Sequence, residues 1–224
     1  MELRELLAPG IVERITSLQH DMVERWHQRT PDVPFSGPLA LVCQQHQYNF
    51  LLWHEEDIAR SPEAGDARIA QAKRAIDGYN QQRNDHIEKV DELLQSALEV
   101  LGVSPAPNAF VNTETPGSAI DRLSIMSLRI YHMREQLERP DVDQSHKQTC
   151  QAKLDRCLIQ HQDLSRSLEE LLEDLAAGRK QLRLYRQMKM YNDPTLNPYL
   201  YRSSARDSQP VLSGIHGAIS KKAS

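Results

Sequence analysis

Cysteine, aromatic residues and long apolar runs are all scarce in this chain of 224 residues. Its three cysteines, Cys43, Cys150 and Cys157, form no CxxC pair, and the last two lie about two helical turns apart, too far for a disulfide within one helix. The sequence therefore predicts a reduced, cytoplasmic protein. Neither a membrane-spanning run nor the apolar part of a signal peptide is recognisable, so we expect neither.

The motifs that identify many enzyme classes are missing as well. The sequence has no phosphate loop, no glycine motif for a dinucleotide, no Cys/His spacing for zinc and no repeated ExxH pair of a di-iron bundle. These absences leave the chain without a reaction that a motif alone could assign.

Charge is distributed unevenly along the chain. The formal net charge is −4, yet the residues from Arg179 onward carry nine Lys/Arg against two Asp. This basic C-terminal region is either a solvated end of an acidic bundle or a docking surface for an anionic partner. Nucleic acid is not the partner we expect, since an exposed arginine face explains the basic residues equally well.

Apolar residues recur every three or four positions along five segments, which predicts an all-α, antiparallel helical bundle. The last predicted helix is the longest, because its heptad spacing runs from Cys150 to Tyr185 with Gly178 as its weak point. It either wraps the bundle or pairs with its copy in a homodimer. We expect a single bundle domain over residues 1–190 and an extended, partly ordered basic tail over 191–224. The other predicted helices cover residues 3–26 with a break at Pro9-Gly10, 39–60, 66–101, and 116 to just before Pro140.

The stretch from Asn49 to Asp91 carries most of the candidate site. Along the third helix, polar residues follow one another at spacings of four, three, four and three, beside the apolar stripe that faces the core. The candidate ligand-binding residues lie in this polar row and on the helices expected beside it: Asn49, His54, Glu56, Asp57, Arg60, Asp77, Gln81, Asn84, Asp85, Glu88, Asp91, Asp121, Arg122 and His132.

Helical geometry divides these residues into two layers. If the second and third helices form a hairpin with its turn at 62–65, Asp57 is level with Ala70, and Glu88 lies roughly 27 Å further along the axis. Glu56 and Asp57 are then expected to pair with Lys73 and Arg74.

The second layer is the candidate metal site. Folding the fourth helix back near Asn108 brings His132 level with Asp85 and close to Glu88, and these three side chains offer oxygen and nitrogen ligands suited to Mg²⁺ or Mn²⁺. The competing interpretation is a polar network between helices that fixes their register. The sequence therefore makes no cofactor certain, and Mg²⁺ or Mn²⁺ is the candidate on the metal-site interpretation.

Three segments together are similar to the bacterial domain-of-unknown-function family 4254. They read Asn49-x3-Trp53-His54-x-Glu56-Asp57-x-Ala59-Arg60, Lys73-Arg74-x-Ile76-Asp77-x2-Asn80-Gln81-x-Arg83-Asn84-Asp85-x-Ile87-Glu88-x2-Asp91, and Thr115-Pro116-Gly117-Ser118-x2-Asp121-Arg122-Leu123-Ser124-Ile125. The segment from Lys189 to Pro198 also resembles the tail of that family. The resemblance implies a small all-α bacterial protein of unsettled activity, with relatives encoded near sugar-transferring enzymes of the cell envelope. It supplies no catalytic residues.

Two functional hypotheses remain open at this level. The first is a helical binding or accessory protein whose polar site between helices recognises a small polar or anionic ligand or a protein partner, with a link to cell-envelope glycan synthesis. The alternative is a divalent-metal-dependent phosphohydrolase or an enzyme that processes nucleotides or sugar phosphates. His54 is either a general base or a structural histidine near a helix end.

Overall fold

The computed structural model describes residues 3–188, 190 and 193–201. The chain divides into two compact units, residues 1–185 and 186–224. In the second unit the described residues include a turn at Asp193, whose carboxylate accepts the Thr195 amide at 2.7 Å, and the short helix Pro198–Tyr201. Most of the predicted tail, 191–224, lies outside the described residues.

The first unit is built almost entirely of helices, and the predicted all-α fold is confirmed. A 3-10 helix, Leu3–Leu7, precedes α1 (Ile11–Gln28), α2 (Pro38–Arg60), α3 (Gly65–Val100), α4 (Pro116–Glu138) and α5 (Gln144–Ala176). Two strands of two residues each, β1 (Phe110–Val111) and β2 (Lys180–Gln181), pair in parallel. No helix among the described residues combines the length and apolarity needed to cross a membrane.

The core of the bundle consists of three clusters of buried side chains. The largest joins the 3-10 helix and all five long helices around Leu94, Leu123 and Leu168, which are at most 1% exposed. The second joins α1, α2 and α4 around Trp26, Cys43 and Phe50, and the smallest joins α4 and α5 around Leu154. The apolar stripes that predicted the helices are therefore the surfaces that pack together.

The relative positions of α3 and α4 differ from the expected hairpin. The first turn of α4 lies beside Asp91, which accepts the amide hydrogen of Gly117, whereas α3 continues to Val100. The third helix thus extends beyond the start of α4 by about nine residues, or about 13 Å, and residues 101–115 return along this overhang. Placing the turn midway between the two helices, near Asn108, gave a register that is wrong by about ten residues.

The last helix ends earlier than predicted, so the longest helix is α3, with 36 residues, and not α5, with 33. Gly178 adopts a left-handed conformation with φ of 69°, its amide donates to the Leu175 carbonyl, and the Arg179 amide donates to the Asp174 carbonyl at 2.8 Å. This is the Schellman arrangement that ends helices at glycine. The heptad pattern continues past it because Leu182 reaches the core from the segment after β2.

Candidate functional site

Asp121, near the start of α4, is the centre of a buried polar network. Its carboxylate accepts hydrogen bonds from the Arg83 guanidinium (Nε to Oδ1, 2.8 Å), from the Asn49 amide at 2.9 Å, and from Gln45. The hydrogen bond to Asp121 and the negative charge of that carboxylate raise the pKa of Arg83 above its ordinary value, although burial of the guanidinium opposes that shift. Asn49 and Asp121 are among the predicted site residues, whereas Arg83 and Gln45 were not included.

The network continues to His46, which is fully buried. The Asn49 amide also donates to Ser124 Oγ at 2.8 Å, and Ser124 Oγ lies 2.7 Å from His46 Nδ1. His46 Nε2 lies 2.8 Å from the Gln19 carbonyl, which can only accept, so Nε2 carries the proton and Nδ1 accepts from the Ser124 hydroxyl. Burial lowers the pKa of His46 to about 3. This chain of bonds between α1, α2 and α4 has a structural role, since every group in it faces another helix.

Asp91 also serves the packing of α4. Its carboxylate accepts the Gly117 amide at 2.7 Å, beside the cap that Thr115 forms by accepting the Ser118 amide. Burial raises the pKa of Asp91 to about 6, although its bonds to Thr115 and Gly117 act in the opposite direction. A methyl group at Gly117 would lie 2.6 Å from the Ile87 carbonyl oxygen, so only glycine permits this approach.

Other predicted site residues lie nearer the solvent and interact locally. Asp77 pairs with Lys73 at 3.2 Å, and Gln81 donates to Asp85 at 2.6 Å, in both cases within α3. Glu56 pairs with Arg60 in α2, and Arg122 pairs with Glu114 at 2.7 Å. Asp57 is exposed, and Asn84 and Glu88 are half-buried. The pairs expected between Glu56 or Asp57 and Lys73 or Arg74 are replaced by the pair between Glu55 and Arg68, at 3.0 Å.

His132 lies apart from Asp85 and Glu88, which were expected to share a metal with it. Its neighbours in a group of possible metal ligands are instead His27 and His54. The reason is the shift in register between α3 and α4, which moves His132 well past Asp85 toward the N-terminal half of α3.

The three histidines meet where α1, α2 and α4 come together, and we call them the histidine cluster. One ring nitrogen from each lies within 4.8 Å of the others, and all three residues are half-buried. The Nε2 atom of each ring is shielded from solvent and has no hydrogen-bond partner among the described residues. Three neighbouring rings thus each have a buried nitrogen that no group in the described part of the chain satisfies.

Hydrogen bonds at Nδ1 determine which nitrogen of two of the rings is free. His27 Nδ1 donates to the Val23 carbonyl at 2.7 Å, and His132 Nδ1 lies 2.5 Å from the Glu135 carboxylate. Since a carbonyl and a carboxylate accept these protons, Nε2 of each neutral ring presents its lone pair. A histidine that binds a metal typically has such an acceptor on its other nitrogen.

Aromatic side chains hold the rings in place. The ring of His132 stacks on Trp53 (centroids 4.8 Å apart, 9° between planes), and His27 stacks on Tyr131 (4.1 Å, 18°). Phe50 meets the His54 ring edge to face at 4.5 Å. Burial, followed by the proximity of His27 and His132, lowers the pKa of His54, which keeps this ring neutral and able to donate its lone pair.

The sequence contains a signal for this cluster that the helical patterns did not isolate. Each of the three histidines directly follows an aromatic residue, in the pairs Trp26-His27, Trp53-His54 and Tyr131-His132. His54 and His132 were predicted as separate candidates, whereas His27 was missed because it closes a helix that contributed no other candidate.

Comparison with known proteins gives a family without an activity. A family model described as "Protein of unknown function (DUF4254)" matches residues 39–184, which include α2 to α5 with His54 and His132 but not α1 with His27. No curated protein and no solved structure matches the chain.

Proposed function

The chain belongs to the family described as "Protein of unknown function (DUF4254)", and this description names no activity. We therefore propose a function from the histidine cluster itself, which is binding of a transition-metal ion. His27, His54 and His132 would be the ligands. Imidazole nitrogen suits zinc, copper, nickel, cobalt and iron, whereas Mg²⁺ prefers oxygen. Zn²⁺ therefore replaces Mg²⁺ and Mn²⁺ as the expected ion.

Two observations support this proposal: one ring nitrogen of each histidine lies within 4.8 Å of the others, and the three buried Nε2 atoms lack hydrogen-bond partners among the described residues. Leaving a buried polar group unsatisfied costs about 1–3 kcal/mol, so three together would be a substantial penalty. A metal ion removes it by accepting all three lone pairs. Tetrahedral zinc with bonds of about 2.0–2.1 Å requires nitrogens about 3.3 Å apart, which small ring rotations can reach.

A second function, metal-dependent hydrolysis, follows from the number of ligands. Three histidines leave one position of a tetrahedral ion open, and an open position distinguishes catalytic zinc sites from structural ones. Water or a substrate oxygen would occupy it. The phosphohydrolase hypothesis thus remains a proposal at a new location, and so does the accessory-protein hypothesis with the metal as its ligand.

Other expectations also remain proposals. They are the homodimer, the anionic partner of the basic C-terminal region, the cytoplasmic location and the link to glycan synthesis. The last rests on the family resemblance alone.

Titration of chelator-treated protein with Zn²⁺ and Co²⁺ in a calorimeter tests the metal proposal. In the calorimeter we expect one ion bound per chain and no heat with Mg²⁺. In the absorption spectrum we expect visible bands from four-coordinate Co²⁺. His54→Asn and His132→Asn should each weaken binding at least 100-fold, whereas His20→Asn, which changes a half-exposed histidine paired with Asp21 and Glu24, should leave it unchanged. Glu135→Gln should weaken binding by about 10–100-fold, the usual effect of removing such an acceptor.

The circular dichroism spectrum and the melting temperature of each metal-free variant show whether it folds. Equal metal affinity in the wild type and in folded His54→Asn would overturn the proposal, and so would the absence of binding by the wild type at micromolar Zn²⁺.

A further inference from the structure

A second site, independent of the histidine cluster, lies between α4 and α5. There the two helices border an open groove of about 690 Å³. A groove of this volume falls in the range typical of small-molecule sites. It contains no member of the histidine cluster, and its lining residues are Glu114, Arg122, Ile125, Met126, Arg129, Gln160, Asp163, Leu164 and Ser167.

Each helix contributes one stripe to this groove. The lining residues of α4 and of α5 both follow spacings of three, one and three, so each set lies on one face of its helix. The two helices are joined by a short connection and run in opposite directions, which places Arg129 and Gln160 at one end and Arg122 and Ser167 at the other. Ile125, Met126 and Leu164 form the apolar middle of the groove.

Most polar side chains of the groove lack a partner among the residues that the structure describes. Arg122 pairs with Glu114, but Arg129, Gln160, Asp163 and Ser167 have no side-chain hydrogen bond or ion pair to any described residue. Arg129 and Asp163 carry opposite charges on facing stripes and still do not form an ion pair. The groove therefore keeps a guanidinium and a carboxylate apart, with an apolar surface between them.

We propose that this groove binds a small zwitterion, with the anionic group of the ligand on Arg129, its ammonium group on Asp163, and its carbon chain over Ile125 and Leu164. Guanidinium groups recognise carboxylates and phosphates through paired N–H donors. Along the helix axis the two charged residues are offset by about three residues, or about 4.5 Å, and the axes of packed helices lie about 8–10 Å apart. A two-carbon linker with a salt bridge of roughly 3 Å at each end spans a comparable distance.

The probes are phosphoethanolamine and β-alanine, which carry the same ammonium group and linker with a phosphate or a carboxylate. Ethanolamine and inorganic phosphate each supply one half of phosphoethanolamine. Binding is measured by calorimetry and by amide chemical shifts on metal-free full-length protein, so that the histidine cluster does not contribute. At least one zwitterion should bind about tenfold more tightly than either half, because two charged contacts are made at once. The preference between the two zwitterions identifies the anionic group.

Two variants test the assigned contacts. Arg129→Gln should weaken zwitterion binding about tenfold, and Asp163→Asn should remove the advantage over inorganic phosphate. Arg166→Gln, an exposed change on α5 outside the groove, is the matched control and should bind as the wild type does. All three changes are at exposed positions and should leave the fold intact.

Any one of three results would overturn the proposal. The first is equal affinity for inorganic phosphate and both zwitterions, and the second is no binding of either zwitterion at about 10 mM, a concentration that reveals even millimolar affinity. The third is unchanged affinity in both Arg129→Gln and Asp163→Asn.

Discussion

Lowering the pH from 7 to 5 should destabilise this protein through His46 alone by about 2 kcal/mol. The ring is fully buried, and its two nitrogens have fixed roles: Nε2 donates to the Gln19 carbonyl, and Nδ1 accepts from Ser124. A proton added at Nδ1 would face Ser124 Oγ, which already accepts from the Asn49 amide. The serine hydroxyl hydrogen would then have to leave its acceptor.

The magnitude follows from the pKa of His46, which falls from 6.5 to about 3 on burial in the folded protein. Because the folded pKa is depressed, the unfolded chain takes up the proton first, and stability is lost as the pH falls below about 6.5. Each pH unit between the two pKa values contributes about 1.4 kcal/mol, which gives about 2 kcal/mol between pH 7 and pH 5. The loss continues until the pH reaches the folded pKa.

Urea denaturation of the wild type and of His46→Gln at pH 7 and pH 5 measures this contribution. Glutamine can donate to the Gln19 carbonyl but does not titrate, so the variant should lose about 2 kcal/mol less than the wild type between the two pH values. The comparison is needed because Asp91, with a raised pKa of about 6, favours the folded state as the pH falls. An equal loss in both proteins would refute the assignment of His46 as a buried, neutral ring.

Two substitutions test the packing of α4, each by urea denaturation with a matched control. Gly117→Ala should destabilise the protein by about 1–3 kcal/mol because its methyl group would meet the Ile87 carbonyl. The control Gly78→Ala has nothing within 4 Å of the added methyl group and should stabilise α3 by about 0.5–1 kcal/mol. An unchanged stability of Gly117→Ala would contradict the close approach. Asp121→Asn should cost about 3 kcal/mol because it leaves the half-buried Arg83 without its buried counter-charge. The control Asp141→Asn changes an exposed pair with Arg139 and should have little effect. Similar effects of these two changes would argue against a buried network.

Helices and their ends are largely predictable from this sequence because local chemistry determines them. The second helix was expected at 39–60 and is observed at Pro38–Arg60, and the fourth was expected from 116 and begins at Pro116. Gly102 ends α3 in the same arrangement as Gly178 ends α5. The one large error, the extension of the last helix to Tyr185, arose because apolar spacing persists wherever side chains reach the core, whether or not the backbone between them is helical.

The arrangement of site residues depends on information that periodicity does not contain. Apolar spacing identifies the face of α4 that packs on α3, but it does not determine how far α4 is shifted along its axis, because a helix that slides without rotating keeps the same face in contact. The side chains that meet on neighbouring helices are set instead by contacts such as that between Asp91 and Gly117, which depend on the path of residues 101–115. This is why the Asp121 network and the histidine cluster include the predicted Asn49, His54 and His132 with partners that were not expected.

The short pairing of β1 with β2 has a consequence for the order of folding. It joins Phe110 to Lys180 and Val111 to Gln181, and so closes a loop of about 70 residues that contains both α4 and α5. Closing a flexible loop of that length costs about 4 kcal/mol in chain entropy, more than two or three backbone hydrogen bonds return. The strands can therefore pair only after α4 and α5 have docked. During refolding, the time at which the amides of this ladder become protected from hydrogen exchange would report when that helical hairpin is complete.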